Sequence, residues 1–117
     1  MLDDRIKGVM VPIITPFTDD ENIDFKSLRR LIDYLIDNGV HGIWAAGTTG
    51  EFSALEDSDR ITAIETVVDQ VRGRVPVIAN ISAPSTELAV KLGLPLKNIA
   101  VDGIAATPPL LLSSRPR

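Results

Sequence analysis

The sequence predicts a parallel α/β fold built from repeated βα units. Short apolar runs rich in β-branched and small residues recur along the chain, and amphipathic helical patterns separate them. The runs are continuously apolar, which is typical of strands that are buried on both faces of a parallel sheet. The candidate strands are residues 9–14, 42–46, 75–79 and 103–106.

The first two helices are marked at both ends by residue type. Asp24 is a favourable N-cap for the first helix, and Gly39 follows its end. The second helix is expected over residues 57–71, with acidic residues in its first turn and Gly73 after it. Helical spacing of apolar residues supports both assignments. The stripes consist of Leu28, Leu31, Ile32 and Leu35 in the first helix, and of Ile61, Ile64, Val67, Val68 and Val71 in the second.

The third helix is interrupted. Ser85 is a suitable cap for its start, but Gly93 and Pro95 fall inside its apolar stripe, which comprises Leu88, Leu92, Leu96 and Ile99. A proline inside a helix removes one backbone donor and crowds the carbonyl four residues earlier. We therefore expect a kink or two short helices here, with reduced local stability.

Composition excludes several classes of function. The chain has 117 residues, a net charge of -4 and scattered basic residues, which indicates one domain and no nucleic-acid partner. It has no cysteine and a single histidine, His41, so a metal site is not expected, and His41 is interpreted as a surface or packing residue. No nucleotide motif is present, and we expect no cofactor. The acidic N-terminus without a signal core, and the lack of a membrane-spanning run, predict a cytoplasmic location without a membrane partner.

Polar and proline-bearing segments follow all four candidate strands. They are residues 15–17, 47–51, 80–84 and 107–109. Loops that follow the carboxyl ends of parallel strands share one rim of the fold, and small molecules bind at that rim. The sequence therefore favours a small-molecule site there, although such loops also need turn residues simply to connect the elements.

The segment after the second strand reads Gly47, Thr48, Thr49, Gly50, Glu51. Two glycines allow the backbone to approach a ligand closely, and two adjacent threonines add hydroxyl donors. This arrangement suits a small carboxylate. The alternative interpretation is that the segment is only a turn.

Together, several segments resemble the amino-terminal half of the dihydrodipicolinate synthase and N-acetylneuraminate lyase family. The matching segments are GVMVPIITPF at residues 8–17, GTTGEF at 47–52, RVPVIA at 74–79, and Asp-Gly at 102–103 with Thr-Pro-Pro at 107–109. The resemblance implies the first half, about four strands and three helices, of a (β/α)8 TIM barrel. It also implies an enzyme that condenses or cleaves pyruvate-like 2-keto acids through a Schiff base on lysine.

The resemblance further implies roles for the threonine pair. Thr48 and Thr49, flanked by Gly47 and Gly50, match the residues that bind the keto-acid carboxylate, and Thr48 also matches a hydroxyl of the proton relay. Threonine at position 48 leans toward the synthase branch of the family.

The chain departs from the family pattern after residue 109, where the paired relay tyrosines of the family are missing. Lys7, Lys26, Lys91 and Lys97 do not fit the Schiff-base position, because the first precedes strand one and the others lie on expected helices. We therefore expect residues 1–109 to form a partial barrel and residues 110–117 to be a divergent, disordered tail. A truncated or frame-altered gene product is the hypothesis for that tail.

Two functional hypotheses follow. The first is part of a Schiff-base lyase or synthase that is catalytically incomplete but retains a loop for the keto-acid carboxylate. The second is a non-catalytic small α/β binding module, or a remnant without activity. A barrel of this kind takes about 250 residues. Four strands would leave two open sheet edges, so self-association, marginal stability or dependence on a partner segment is expected.

Overall fold

A computed structural model describes residues 4–108 of the chain. Four strands form one sheet in the order β1-β2-β3-β4, and all neighbouring strands are parallel, which confirms the predicted βα architecture. The strands are β1 (Met10–Pro12), β2 (Gly42–Ala45), β3 (Val77–Asn80) and β4 (Gly103–Ala105). The helices are α1 (Phe25–Asp37), α2 (Asp57–Val71) and α3 (Thr86–Gly93), with 3-10 turns at Phe52–Ala54 and Leu94–Asn98. The tail expected at residues 110–117 lies outside the described residues.

The ends of α1 and α2 confirm the residues chosen from the sequence. The Asp24 carboxylate accepts the backbone N–H of Ser27 at 3.0 Å, and this hydrogen bond lowers the pKa of Asp24 from its ordinary value. Gly39 and Gly73 follow the two helices with positive φ angles of +86° and +72°. A glycine in the left-handed region ends a helix at little steric cost.

The third helical segment divides as expected. Ser85 accepts the N–H of Leu88 at 3.3 Å, α3 ends at Gly93, and the chain continues through Pro95 as a tighter 3-10 turn. Leu92 and Leu96 are buried, but Leu88 is 45% exposed. Leu88 belongs to the apolar stripe by spacing but is not part of the buried core.

The core lies between the sheet and its helices. Ile43 of β2 pairs in register with Val77 of β3, and both are fully buried with Ile64 of α2. Polar contacts join α1 and α2, including the Gln70 side-chain amide, which donates to the Asp33 carboxylate at 2.8 Å. The parallel pairing of β2 and β3 places the carboxyl ends of these strands side by side.

Strands β1 and β4 are the two edges of the sheet, and neither has a second partner strand within residues 4–108. Ile104 on β4 is 59% exposed, as is Val9 before β1 at 58%. Unpaired edges with exposed apolar side chains favour association. Self-association of the chain stays a prediction.

Residues 4–108 contain neither a membrane-spanning helix nor a cluster of metal-ligating side chains. No helix of residues 4–108 combines the length and apolarity needed to cross a bilayer. Over the same range, no three His, Cys, Asp or Glu side chains gather as they would around a metal ion. His41 is exposed, and its Nδ1 accepts the backbone N–H of Val9 at 2.8 Å, so it joins the chain ahead of β1 to the start of β2.

Candidate functional site

The segment with the threonine pair lies directly beyond the carboxyl end of β2. We call residues 46–51 the Thr-Thr loop. Ala46 and Glu51, at its two ends, have positive φ angles of +53° and +58°. Residues with a Cβ seldom adopt this conformation, and such strain concentrates at functional sites because the surrounding structure must maintain it.

The Thr-Thr loop presents a row of free hydrogen-bond donors. The backbone N–H groups of Gly47, Thr48, Thr49 and Gly50 donate to no acceptor within residues 4–108. The two threonine hydroxyls also have no partner in that part of the chain, and both threonines are exposed. Successive free N–H groups in a turn form a concave site for an anion.

Two carbonyl groups of the same loop accept hydrogen bonds from residues that follow them in the chain. The Thr48 carbonyl accepts the N–H of Glu51 at 3.0 Å, and the Gly47 carbonyl accepts the N–H of Phe52 at 3.3 Å. These bonds close the turn on its inner side. The Gly47 and Thr48 carbonyls are therefore occupied, whereas the four N–H groups are available.

Side chains from the neighbouring strand ends hold both ends of the loop. The hydroxyl of Thr15, beyond β1, donates to the Gly50 carbonyl at 2.8 Å, and Thr15 is only 7% exposed. From β3, the side-chain amide of Asn80 donates to the Ala46 carbonyl at 3.0 Å. Gly50 fits because an added Cβ would lie 3.1 Å from both the Ile13 carbonyl oxygen and the Thr15 hydroxyl.

A buried arginine supports the carboxyl end of β3. Arg60 of α2 is 4% exposed and donates to the carbonyl oxygens of Asn80 and Ser82, each at 2.9 Å. Its guanidinium lies 4.8 Å from the centroid of the Phe52 ring, a cation–π distance. Burial lowers the pKa of Arg60, and the nearby Asp57 carboxylate partly opposes that shift. The arginine thus provides hydrogen-bond donors for the buried carbonyls of Asn80 and Ser82 at the end of β3.

A serine extends this network to the end of β4. The Ser82 hydroxyl donates to Asn80 Oδ1 at 2.8 Å and accepts the backbone N–H of Thr107, also at 2.8 Å. The Thr107 hydroxyl lies 3.0 Å from Ser82 Oγ. Polar contacts therefore connect the loops beyond all four strands, as expected for loops that share one rim. Pro109 of the last loop lies outside the described residues.

None of the four lysines lies at this rim in a buried position. Lys7 precedes β1, Lys26 and Lys91 lie on α1 and α3, Lys97 lies on the following 3-10 turn, and all four are exposed. A lysine that forms a Schiff base needs partial desolvation to lower its pKa. Within residues 4–108, the structure does not place such an amine beside the Thr-Thr loop.

Sequence reasoning found the loop but missed two residues that support it. The sequence pattern predicts Asn80 in the loop after strand three, whereas it is the last residue of β3 and is 3% exposed. Arg60 was not identified at all. The signal was present: Arg60 precedes Ile64, Val67 and Val71 at helical spacing, so it occupies a position on the buried stripe of α2.

Comparison with known proteins gives a consistent family match. Residues 5–116 match the dihydrodipicolinate synthetase family. The chain is 44% identical over 103 residues to a 4-hydroxy-tetrahydrodipicolinate synthase of Pelobacter propionicus, an alignment that covers 88% of this chain and 35% of that protein. It is 37% identical over 113 residues to a probable 2-dehydro-3-deoxy-D-pentonate aldolase of Escherichia coli, covering 97% of this chain and 38% of the aldolase.

Solved structures show the same relationship in three dimensions. A chloride-inhibited dihydrodipicolinate synthase of Acinetobacter baumannii, crystallised with pyruvate, superposes with a TM-score of 0.86 at 35% identity. The match covers 89% of this chain and 36% of that one. The fold is therefore the first half of the family's TIM barrel, as predicted, and the chain spans about a third of the length of these relatives.

Proposed function

This chain belongs to the dihydrodipicolinate synthetase family, and we propose that its Thr-Thr loop binds the carboxylate of pyruvate or a related 2-keto acid. The observation that carries the proposal is the row of four free backbone N–H groups, from Gly47 to Gly50, beside two free hydroxyls. Support comes from the A. baumannii relative, which was crystallised with pyruvate.

The chemistry of the loop suits a carboxylate better than a neutral ligand. A carboxylate has two oxygens that accept several hydrogen bonds, and bonds to a charged acceptor are about twice as strong as neutral ones. The loop offers four unoccupied N–H donors, while its Gly47 and Thr48 carbonyls already accept hydrogen bonds from Phe52 and Glu51. Glycine at positions 47 and 50 has no side chain beyond hydrogen, which lets a ligand approach the backbone closely.

We extend the proposal to the reaction of the whole protein. It is a lyase or synthase that cleaves or condenses pyruvate with an aldehyde, and in it an amine attacks the keto carbon and expels water to form a Schiff base. Thr48 binds the keto acid and relays protons through its hydroxyl. The exposed positions of Lys7, Lys26, Lys91 and Lys97 support the view that this chain is catalytically incomplete without an amine from elsewhere.

The binding proposal predicts a response of the loop to pyruvate. In an amide NMR titration of the 117-residue chain, adding pyruvate should shift the signals of Gly47, Thr48, Thr49 and Gly50. Thr49→Val, which removes one hydroxyl without changing shape, should raise the Kd for pyruvate roughly tenfold, since a hydrogen bond to a charged group contributes about 1.5 kcal/mol or more. Thr48→Val should act in the same direction.

The matched control is Thr62→Val, which removes an exposed threonine hydroxyl on α2 that bonds only to the Ser58 carbonyl. It should leave the Kd unchanged. If pyruvate shifts no loop signal, the carboxylate proposal fails, and the chain is better described as an α/β module without keto-acid binding. Equal effects of Thr49→Val and Thr62→Val would also contradict it.

The second prediction concerns covalent chemistry. Incubation with pyruvate followed by borohydride reduction should give no adduct on any lysine, because all four are exposed and none is desolvated at the Thr-Thr loop. Intact mass spectrometry and peptide mapping provide the measurement, and mapping separates a lysine adduct from one on the N-terminal amine. A stoichiometric adduct on one of the four lysines would overturn the view that the chain is incomplete.

A further inference from the structure

We propose that Thr15 and Asn80 are positioning residues that hold the Thr-Thr loop from opposite sides and thereby align its free N–H groups. This inference rests on the proposed function for what the aligned groups bind. Neither side chain has to touch the ligand, because each acts through a carbonyl oxygen at one end of the loop.

The contact from the β1 side is buried and joins two distant parts of the sequence. Thr15 donates its hydroxyl hydrogen to the Gly50 carbonyl at 2.8 Å, and the two residues are 35 positions apart in sequence. Gly50 itself is buried. A buried carbonyl that loses its donor pays the desolvation cost without compensation, so the bond fixes where Gly50 sits.

The contact from the β3 side is stiffer, because Asn80 is itself held on three sides. Its side-chain nitrogen donates to the Ala46 carbonyl, its Oδ1 accepts the Ser82 hydroxyl, and its backbone carbonyl accepts from Arg60. Asn80 is 3% exposed. A side chain with each polar atom occupied is restricted to one orientation.

The loop needs such restraint. Ala46 and Glu51 both have positive φ angles, an arrangement that residues with a Cβ adopt at a cost. Without the two side-chain bonds, relaxation of either end would rotate the intervening peptide groups and turn the N–H groups of Gly47 to Gly50 apart. Preorganised donors bind an anion more tightly than donors that must be ordered at the moment of binding.

The test compares Thr15→Val with Thr15→Ser. Valine keeps the shape of the side chain but removes the donor, whereas serine keeps the donor. Thr15→Val should raise the Kd for pyruvate roughly tenfold and Thr15→Ser should restore it, since one buried hydrogen bond commonly changes an equilibrium by up to about that factor. Asn80→Ala, a second variant, should act in the same direction.

A ligand-free measurement separates this inference from the proposed function. Glu51 and Phe52 donate their N–H groups to carbonyls inside the loop. Their hydrogen exchange should accelerate in Thr15→Val and Asn80→Ala, and return toward the original rate in Thr15→Ser. If the unsubstituted chain does not bind pyruvate, the proposed function fails while the exchange rates still decide whether the loop is held.

The control for general destabilisation is Ile32→Val, at a fully buried residue of α1 that makes none of the hydrogen bonds of the loop. Compared at equal distance below each Tm, it should alter neither the Kd nor the exchange of Glu51 and Phe52. The inference is overturned if Thr15→Val and Asn80→Ala lower the Tm but leave both loop measurements at the values of Ile32→Val. If Asn80→Ala does not fold, the comparison of Thr15→Val with Thr15→Ser decides alone.

Discussion

Replacing Arg60 with methionine is expected to lower the free energy of unfolding by about 3 kcal/mol. Methionine keeps a long apolar stem against Phe52 but has no donor. The carbonyl oxygens of Asn80 and Ser82 each accept a hydrogen bond from a guanidinium nitrogen at 2.9 Å, and both would lose this donor. Ser82 is 1% exposed and Asn80 is 3% exposed, so water reaches these carbonyls poorly.

Urea unfolding followed by circular dichroism measures this effect. The free energy of unfolding of Arg60→Lys should fall between those of the unsubstituted chain and Arg60→Met. A single ammonium retains the charge but lacks the planar guanidinium that reaches both carbonyls. The matched control is Arg30→Met, which removes an exposed arginine from α1 and should change stability by no more than about 0.5 kcal/mol. If Arg60→Met and Arg30→Met were equally mild, the buried arginine would not be what stabilises the end of β3.

Substitution of Gly50 by alanine is expected to weaken binding and stability together. The new Cβ would lie 3.1 Å from the Ile13 carbonyl oxygen, 3.1 Å from the Thr15 hydroxyl and 3.3 Å from the Ala46 Cα. Two of these atoms belong to backbone, so the loop itself has to move. Overpacking of this kind costs about 1–3 kcal/mol. We expect the pyruvate-induced shifts of Thr48 and Thr49 to disappear at concentrations that saturate the unsubstituted chain.

Gly93→Ala is the matched control for Gly50→Ala. An added Cβ at Gly93 would meet only Ile81 side-chain atoms, at 3.6 and 3.8 Å, which is ordinary contact. Because Gly93 is the last residue of α3, alanine there should be neutral or slightly stabilising. Retention of pyruvate binding in Gly50→Ala, measured in the same titration, would contradict the close packing of the loop against Thr15.

The candidate site could be located from the sequence but not assembled from it. Glycines and threonines after a buried strand are a local signal, and the parallel order of the strands brings that segment to the rim. The contacts that shape the loop are not local: Thr15 reaches Gly50 across 35 positions, and Asn80 reaches Ala46 across 34. Which residues form hydrogen bonds at that separation depends on strand register and helix packing. Neither can be predicted from residue types alone.

What the sequence determined by itself is the set of elements and their ends. Asp24 and Ser85 as caps, Gly39 and Gly73 as stops, and the break at Gly93 and Pro95 depend on backbone geometry within a few residues. These features were therefore readable, and α2 was predicted with its observed bounds, residues 57–71.

Only the tertiary structure decided which polar residues are buried. Arg60 lies on the core stripe of α2. Its charge is tolerated there because the guanidinium donates to two carbonyl oxygens and packs over an aromatic ring. Leu88, in contrast, occupies a stripe position on α3 and is exposed, whereas Leu92 on the same stripe is buried. Burial depends on what packs against a residue, and that is a property of the assembled sheet and helices.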